Sequence, residues 1–104
     1  MIDLKQLQKD IYKNKLNKGF NVTDINKEFC LTYGEMAEAY EAWRKKQTDV
    51  GEEIADVVIY LLGLSEILNA NLENEILKKV NKNKHRQYKI IDGVNTRVKE
   101  YGEE

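Results

Sequence analysis

The sequence predicts an all-α fold, a four-helix bundle completed by homo-oligomerisation. Three observations carry this. No proline occurs in 104 residues, so nothing interrupts a helical hydrogen-bond ladder. The chain is rich in Lys, Glu, Leu and Ile, a composition that favours helix over sheet. Apolar residues recur every third or fourth position through most of its length, the period of a helix with one buried face. A chain of 104 residues holds one domain, expected over 1–104, with a modest core.

The elements are taken in chain order. Leu4, Leu7 and Ile11 keep helical spacing in a first helix over about 3–18, with lysines on its other faces and Gly19 as its stop. A second helix runs from about Thr23, whose hydroxyl can accept from a free backbone N–H, to about Lys46. Ile25, Phe29, Tyr33, Met36, Tyr40 and Trp43 form one apolar stripe along it. Asp49 and Glu52, three apart, open a third helix in the manner of a capping box. From Ile54 to about Leu68 apolar residues cover nearly every face, which places this helix at the buried centre and asks for further copies to complete the burial. Asn69-Ala70-Asn71 is a break, and Leu72, Ile76 and Val80 carry a fourth helix to about Tyr88. The tail, 89–104, reads as an extended stretch followed by a short helix.

Charge and composition exclude several classes. Seventeen Lys and Arg against eighteen Asp and Glu give a net charge of −1, with no general pull towards nucleic acid or anionic lipid. One cysteine, Cys30, can form neither an internal disulfide nor a thiolate metal cage. The N-terminus shows no signal-peptide core, and no apolar run is long enough to span a bilayer. The expectation is a cytoplasmic protein with no membrane and no nucleic-acid partner.

Chemistry enters where carboxylates interrupt apolar pattern. Glu53 and Asp56 lie three apart on the third helix, in a sector shared with Tyr60, Gly63 and Ile67. Asp56 breaks the apolar run from Ile54 to Leu64, and burial of an unpaired carboxylate costs several kcal/mol unless something compensates it. Glu35 and Glu38 make a second pair on the second helix, away from the Ile25–Trp43 stripe. By themselves these two read first as solvated glutamates, since helices abound in such pairs. A short connection at Gln47–Thr48 favours antiparallel packing, which turns the two pairs towards each other. Four converging carboxylates need cations, and all-oxygen ligands suit Mg²⁺, with Mn²⁺ as substitute, and phosphate chemistry. A di-iron bundle would need Glu-x-x-His, and the only histidine, His85, follows Lys82. His85 itself reads as an exposed helix residue.

Between Lys78 and Lys89 stand six Lys or Arg and no acid. Lys79, Asn83 and Arg86 recur at helical spacing and can offer a point charge, an amide and a bidentate fork to polyphosphate. A solvated basic helix end fits the same residues equally well.

Taken together, Gly34-Glu35-Met36-Ala37-Glu38, followed after 14 residues by Glu53-Ile54-Ala55-Asp56, resembles the Glu-x-x-Glu…Glu-x-x-Asp signature of MazG-like nucleotide pyrophosphohydrolases. Gly51–Leu62 resembles that family's third helix, and Lys79-x-x-x-Asn83-x-x-Arg86-x-Tyr88 its fourth. The resemblance covers about residues 20–88. It implies an all-α fold and Mg²⁺-dependent hydrolysis of a nucleoside triphosphate, deoxy- or non-standard nucleotides included, to the monophosphate and pyrophosphate. It implies Glu35, Glu38, Glu53 and Asp56 as metal ligands, with Glu35 or Glu38 activating water, and Lys79, Asn83 and Arg86 near phosphate or sugar. It also implies a homodimer or homotetramer. The chain departs from many members in having Gly34 and Thr32 where an auxiliary glutamate often stands. Tyr88, Trp43 and Phe20 are the candidates for stacking on a base. For Trp43 and Phe20, core packing is the equal alternative. Two further readings share these residues: a non-catalytic helical module that binds metal or nucleotide, and a phosphoribosyl-ATP pyrophosphatase.

Overall fold

The computed structural model describes residues 1–99, of Lys99 the backbone alone. Four helices, α1 (Leu4–Asn17), α2 (Ile25–Arg44), α3 (Val50–Ile67) and α4 (Leu72–His85), are followed by two strands, β1 (Gln87–Ile91) and β2 (Val94–Lys99). The chain is therefore mostly helical with a small antiparallel sheet, where an all-α fold is expected from sequence. It divides into two compact units, one ending at Leu72 and one beginning at Glu73.

In the first unit, three helices end in the same way. Past each C-terminus one residue turns left-handed, Gly19 (φ 70°), Lys46 (φ 57°) and Asn69 (φ 57°). The N–H of the residue after it then donates to a carbonyl five positions back: Phe20 to Lys15, Gln47 to Ala42, Ala70 to Ser65. Only the first turn carries the glycine that such a conformation favours. At the starts, Asp3 caps α1 and Asp24 caps α2, each accepting a backbone N–H at 3.1 Å. Asp24, not Thr23, is thus the cap of α2. Asp49 precedes α3 but its side chain makes no capping hydrogen bond, so the capping box expected with Glu52 is not formed.

α3 packs against both α1 and α2. Val57, Leu62 and Leu64 are its buried apolar residues, each contributing about 1.5–3 kcal/mol by leaving water. α1 crosses it closely at Gly63, where an added Cβ would stand 3.4 Å from Ile11 and Lys15 side-chain carbons. Buried Gln8 ties α1 to the turn after α3, donating to Ala70 O (2.6 Å) and Glu66 Oε1 (2.9 Å) and accepting from Leu72 N–H (3.3 Å). From α2 the core takes Ala39, Ala42 and the carboxylate of Glu28. Small alanines allow α2 to lie close on α3. The large residues of its apolar stripe face outward instead, Tyr33 being 72% and Trp43 65% exposed. α3 is likewise not buried all round, since Ile54, Val58 and Leu61 reach solvent.

In the second unit, α4 has no buried residue. It stops at His85, short of the expected Tyr88. Tyr88 lies in β1, within the strand-forming run Tyr88-Lys89-Ile90-Ile91. Asp92 (φ 52°) and Gly93 (φ 78°) make the two-residue turn, and Ile91 pairs with Val94 across it. The short helix expected in the tail does not occur through residue 99, and residues 100–104 lie outside the described part.

Candidate metal centre

The site is built on the facing sides of α2 and α3. Carboxylates of Glu38 and Glu53 approach each other near the α2–α3 turn, while Glu28, nearly three turns earlier on α2, acts on Tyr60, two turns later on α3. The helices are therefore antiparallel, as the short connection suggests. One oxygen each of Glu35, Glu38 and Glu53 lies within 4.8 Å of the other two. Oxygens sharing one Mg²⁺ stand roughly 3–4 Å apart, so rotamer changes of about an ångström would close the set. Asp56 is not part of this triad. Its charge nonetheless bears on both Glu35 and Glu53, so it stands beside them.

Their electrostatics are those of an uncompensated cluster. Partial burial, then the charge of Glu38 and a hydrogen bond between the two carboxyls, raises the proton affinity of Glu35; Asp56 and Glu53 add to it. Glu53 is raised too, first by loss of solvent and then by Asp49, Asp56, Glu38 and Glu52. Among the described residues, no Lys, Arg or His forms an ion pair with Glu35, Glu38, Glu53 or Asp56. An all-oxygen, anionic donor set of this kind fits a hard divalent cation and does not fit zinc or copper.

Farther along the same two helices, at Glu28 and Leu31 of α2 and Ile59 and Tyr60 of α3, opens a cavity of about 510 Å³, within the range of small-molecule sites; none of the four carboxylates lines it. Tyr60 forms part of its wall, and its phenol is held above its usual range by burial and then by Glu35, Glu28, Asp56 and Glu38, so the cavity and the carboxylates share one field. The sequence already places Tyr60 in the sector of Glu53 and Asp56. What it hides is the part of the wall contributed by α1 and the turn after it, which faces Lys27, Glu28 and Leu31 of α2 and Ile59 of α3. There Lys15 pairs with buried Glu28, its ammonium 5.4 Å from the Tyr60 ring centroid. Asn21 donates to the other Glu28 oxygen at 3.0 Å. The available signal is that Glu28, Leu31 and Glu35 recur at spacings of three and four, on one face of α2.

The remaining candidates divide. Phe20 lines the cavity. Trp43 stands near the end of the outward stripe, tilted against Tyr40 with ring centroids 6.1 Å apart. Lys79, Asn83, Arg86 and Tyr88 belong to the second unit. Within it Arg86 donates to Asn83 Oδ1 at 2.8 Å, so these two are brought together, and Lys79 precedes them on α4. His85 is exposed, its Nδ1 2.8 Å from the carbonyl of Asn81. No helix among the described residues is long and apolar enough to cross a membrane. No protein-family model, curated protein or solved structure matches the chain.

Proposed function

We propose that the chain is a Mg²⁺-dependent nucleotide pyrophosphohydrolase of the MazG-like kind, cleaving a nucleoside triphosphate to the monophosphate and pyrophosphate. The observation that carries this reading is the gathering of Glu35, Glu38 and Glu53 oxygens within 4.8 Å, with no protein cation paired to them among the described residues. Glu35, Glu38 and Glu53 hold the ion, Mg²⁺ or Mn²⁺, and Asp56 completes the set that the sequence resemblance implies. When bound, the ion neutralises triphosphate charge and acidifies water.

The side chains of the chain do the rest. Glu35 or Glu38 orients a water and takes its proton, so that the oxygen attacks the α-phosphorus. The bond from that phosphorus to the bridging oxygen breaks, and pyrophosphate leaves. Phe20 faces the base in the cavity farther along the two helices. Trp43 and Tyr88 are the other stacking candidates, and Lys79, Asn83 and Arg86 are the residues that the sequence resemblance offers for phosphate or sugar. The outward stripe of α2 and the exposed apolar side of α3 are the surfaces on which further copies close, as a homodimer or homotetramer. Exposed, unpaired Cys30 suits the cytoplasm, and the reading includes neither nucleic acid nor membrane.

Pyrophosphate release with Mg²⁺ over a panel of standard and non-standard triphosphates tests it. Isosteric Glu53→Gln and Asp56→Asn are expected to lower kcat/KM by about 100-fold or more, roughly 2.7 kcal/mol on the barrier. Full activity in both folded variants sinks the site. Turnover of phosphoribosyl-ATP alone moves the protein to that class, and nucleotide binding without pyrophosphate release marks a binding module.

A further inference from the structure

An aspartate stands before each helix of the first unit, and the third behaves differently from the other two. Asp3 (φ −98°, ψ 99°) and Asp24 (φ −91°, ψ 98°) have extended backbones, and each accepts a backbone N–H of its own helix. That is the usual employment of an aspartate in this place. Asp49 has already turned inward (φ −99°, ψ 20°), and its side chain forms no capping bond. Its Oδ1 is nonetheless buried, and no hydrogen-bond donor reaches it. Among the described residues, no Lys, Arg or His forms an ion pair with Asp49. A buried acceptor is costly to leave unmatched, and a charged one more so.

The position of Asp49 says what matches it. It lies one turn before Glu53, and residues four apart share a helix face. After loss of solvent, its charge is the foremost cause of the raised proton affinity of Glu53, ahead of Asp56 and Glu38. Yet the oxygens gathered within 4.8 Å are those of Glu35, Glu38 and Glu53, and Asp49 is not among them. It stands beside the cluster without belonging to it. A cation of the Mg²⁺ type takes six oxygens, so three carboxylates leave it several waters. Waters on such an ion are strong donors, and acceptors just outside the ligands orient them and tune the ion. Resting on the reading of Glu35, Glu38 and Glu53 as a metal centre, we propose that Asp49 is a positioning residue of that centre, its buried Oδ1 accepting a hydrogen bond from a water on the cation beside Glu53. The bond gives the orphaned oxygen its partner and fixes one water at the edge of the centre nearest the α2–α3 turn. The charge of Asp49 also strengthens the hold on the cation without occupying a ligand position, which leaves that position to oxygens of a substrate.

Titration of the metal-free chain with Mn²⁺, the free ion read by electron paramagnetic resonance, tests this without nucleotide or turnover. Asp49→Asn keeps the shape, removes the charge, and is expected to weaken Mn²⁺ binding about 10–100-fold. Glu52→Gln removes an equal charge from an exposed neighbour and is expected to weaken it less than about threefold. Asp49→Ala separates the role from helix capping. Its metal-free Tm is expected to rise, because an orphaned buried oxygen goes and no cap bond is lost. Unchanged affinity in Asp49→Asn, equal weakening by Asp49→Asn and Glu52→Gln, or a fall in metal-free Tm in Asp49→Ala overturns the proposal. A second bound Mn²⁺ that Asp49→Asn abolishes makes Asp49 a direct ligand and overturns it too. No binding of Mn²⁺ by the wild type at millimolar concentration removes the metal centre itself. Wild-type binding that Asp49→Asn leaves intact removes Asp49 alone.

Discussion

Glu28 and Glu35 occupy one face of α2, seven residues apart, and the protein treats their charges in opposite ways. Glu28 is 1% exposed and answered from within by the Lys15 ammonium and the Asn21 amide. Glu35 is only partly buried and is surrounded by further acids, with its proton affinity raised as a result. A carboxylate paired from inside the fold is a fixture of the fold. One left among like charges is a standing demand for a cation from outside. Sequence spacing makes the two look alike, and only the neighbours of each tell them apart.

The largest expected effect comes from breaking the answered side. Lys15→Met leaves Glu28 buried without its partner and is expected to cost about 3–5 kcal/mol in urea unfolding, a large part of the total stability of a small domain. Lys15→Met with Glu28→Leu should recover most of that loss, because removing both charges also removes the cost of burying them. A loss below about 1 kcal/mol in the single variant would show that the pair is not what holds α1 to α2.

On the unanswered side, a cation should stabilise rather than a mutation destabilise. At 100 times its dissociation constant Mg²⁺ is expected to add about 2.7 kcal/mol, read as a rise in Tm, and Glu35→Gln should abolish most of it. The pH dependence is smaller and has a definite sign. Glu35 and Glu53 bind protons more tightly in the metal-free fold than in the unfolded chain. They therefore destabilise the fold above their raised values, and that penalty fades as pH falls towards the ordinary glutamate value. Metal-free Tm should accordingly gain from these groups as pH falls from neutrality towards the ordinary glutamate value, and the gain should shrink in Glu35→Gln. Saturating Mg²⁺ should reverse the slope, because the ion competes with protons for the same oxygens. The smallest effect on the single chain is expected from Tyr33→Lys on the outward stripe, within about 0.5 kcal/mol for an exposed residue. Sedimentation should nonetheless shift it towards the monomer, and an unchanged oligomeric state would remove that stripe from the interface.

Much of the fold was legible in the chain, unevenly. The three helices of the first unit follow from period alone, and so do the carboxylate pairs, since spacing decides which residues share a face. Which face turns inward does not follow. The strongest apolar stripe of α2 points outward while Ala39 and Ala42 pack, because close approach of two helices rewards small residues over large ones. The wall of the cavity escaped for the same reason, as Lys15 reads as one more surface lysine until Glu28 is buried beside it. The extended stretch read from residue 89 falls on β1, but the second strand stands where a short helix is expected, and the turn between them carries its own signal. Asp92-Gly93 between Ile90-Ile91 and Val94 is the composition of a two-residue turn with both residues left-handed.

The closed turn after α2 has a consequence for how the site tolerates change. Gln47 N–H is locked to the Ala42 carbonyl, and α3 begins at Val50, so the linker has almost no slack. Each residue added to or removed from a helix at this junction rotates the side chains beyond it by about 100° around the helix axis. A single insertion there would swing Glu53 and Asp56 off the side that meets Glu35 and Glu38, though every carboxylate would still be present in the chain. The turn sets the rotational phase of one helix against the other, and substitutions within it are tolerable where a change in its length is not.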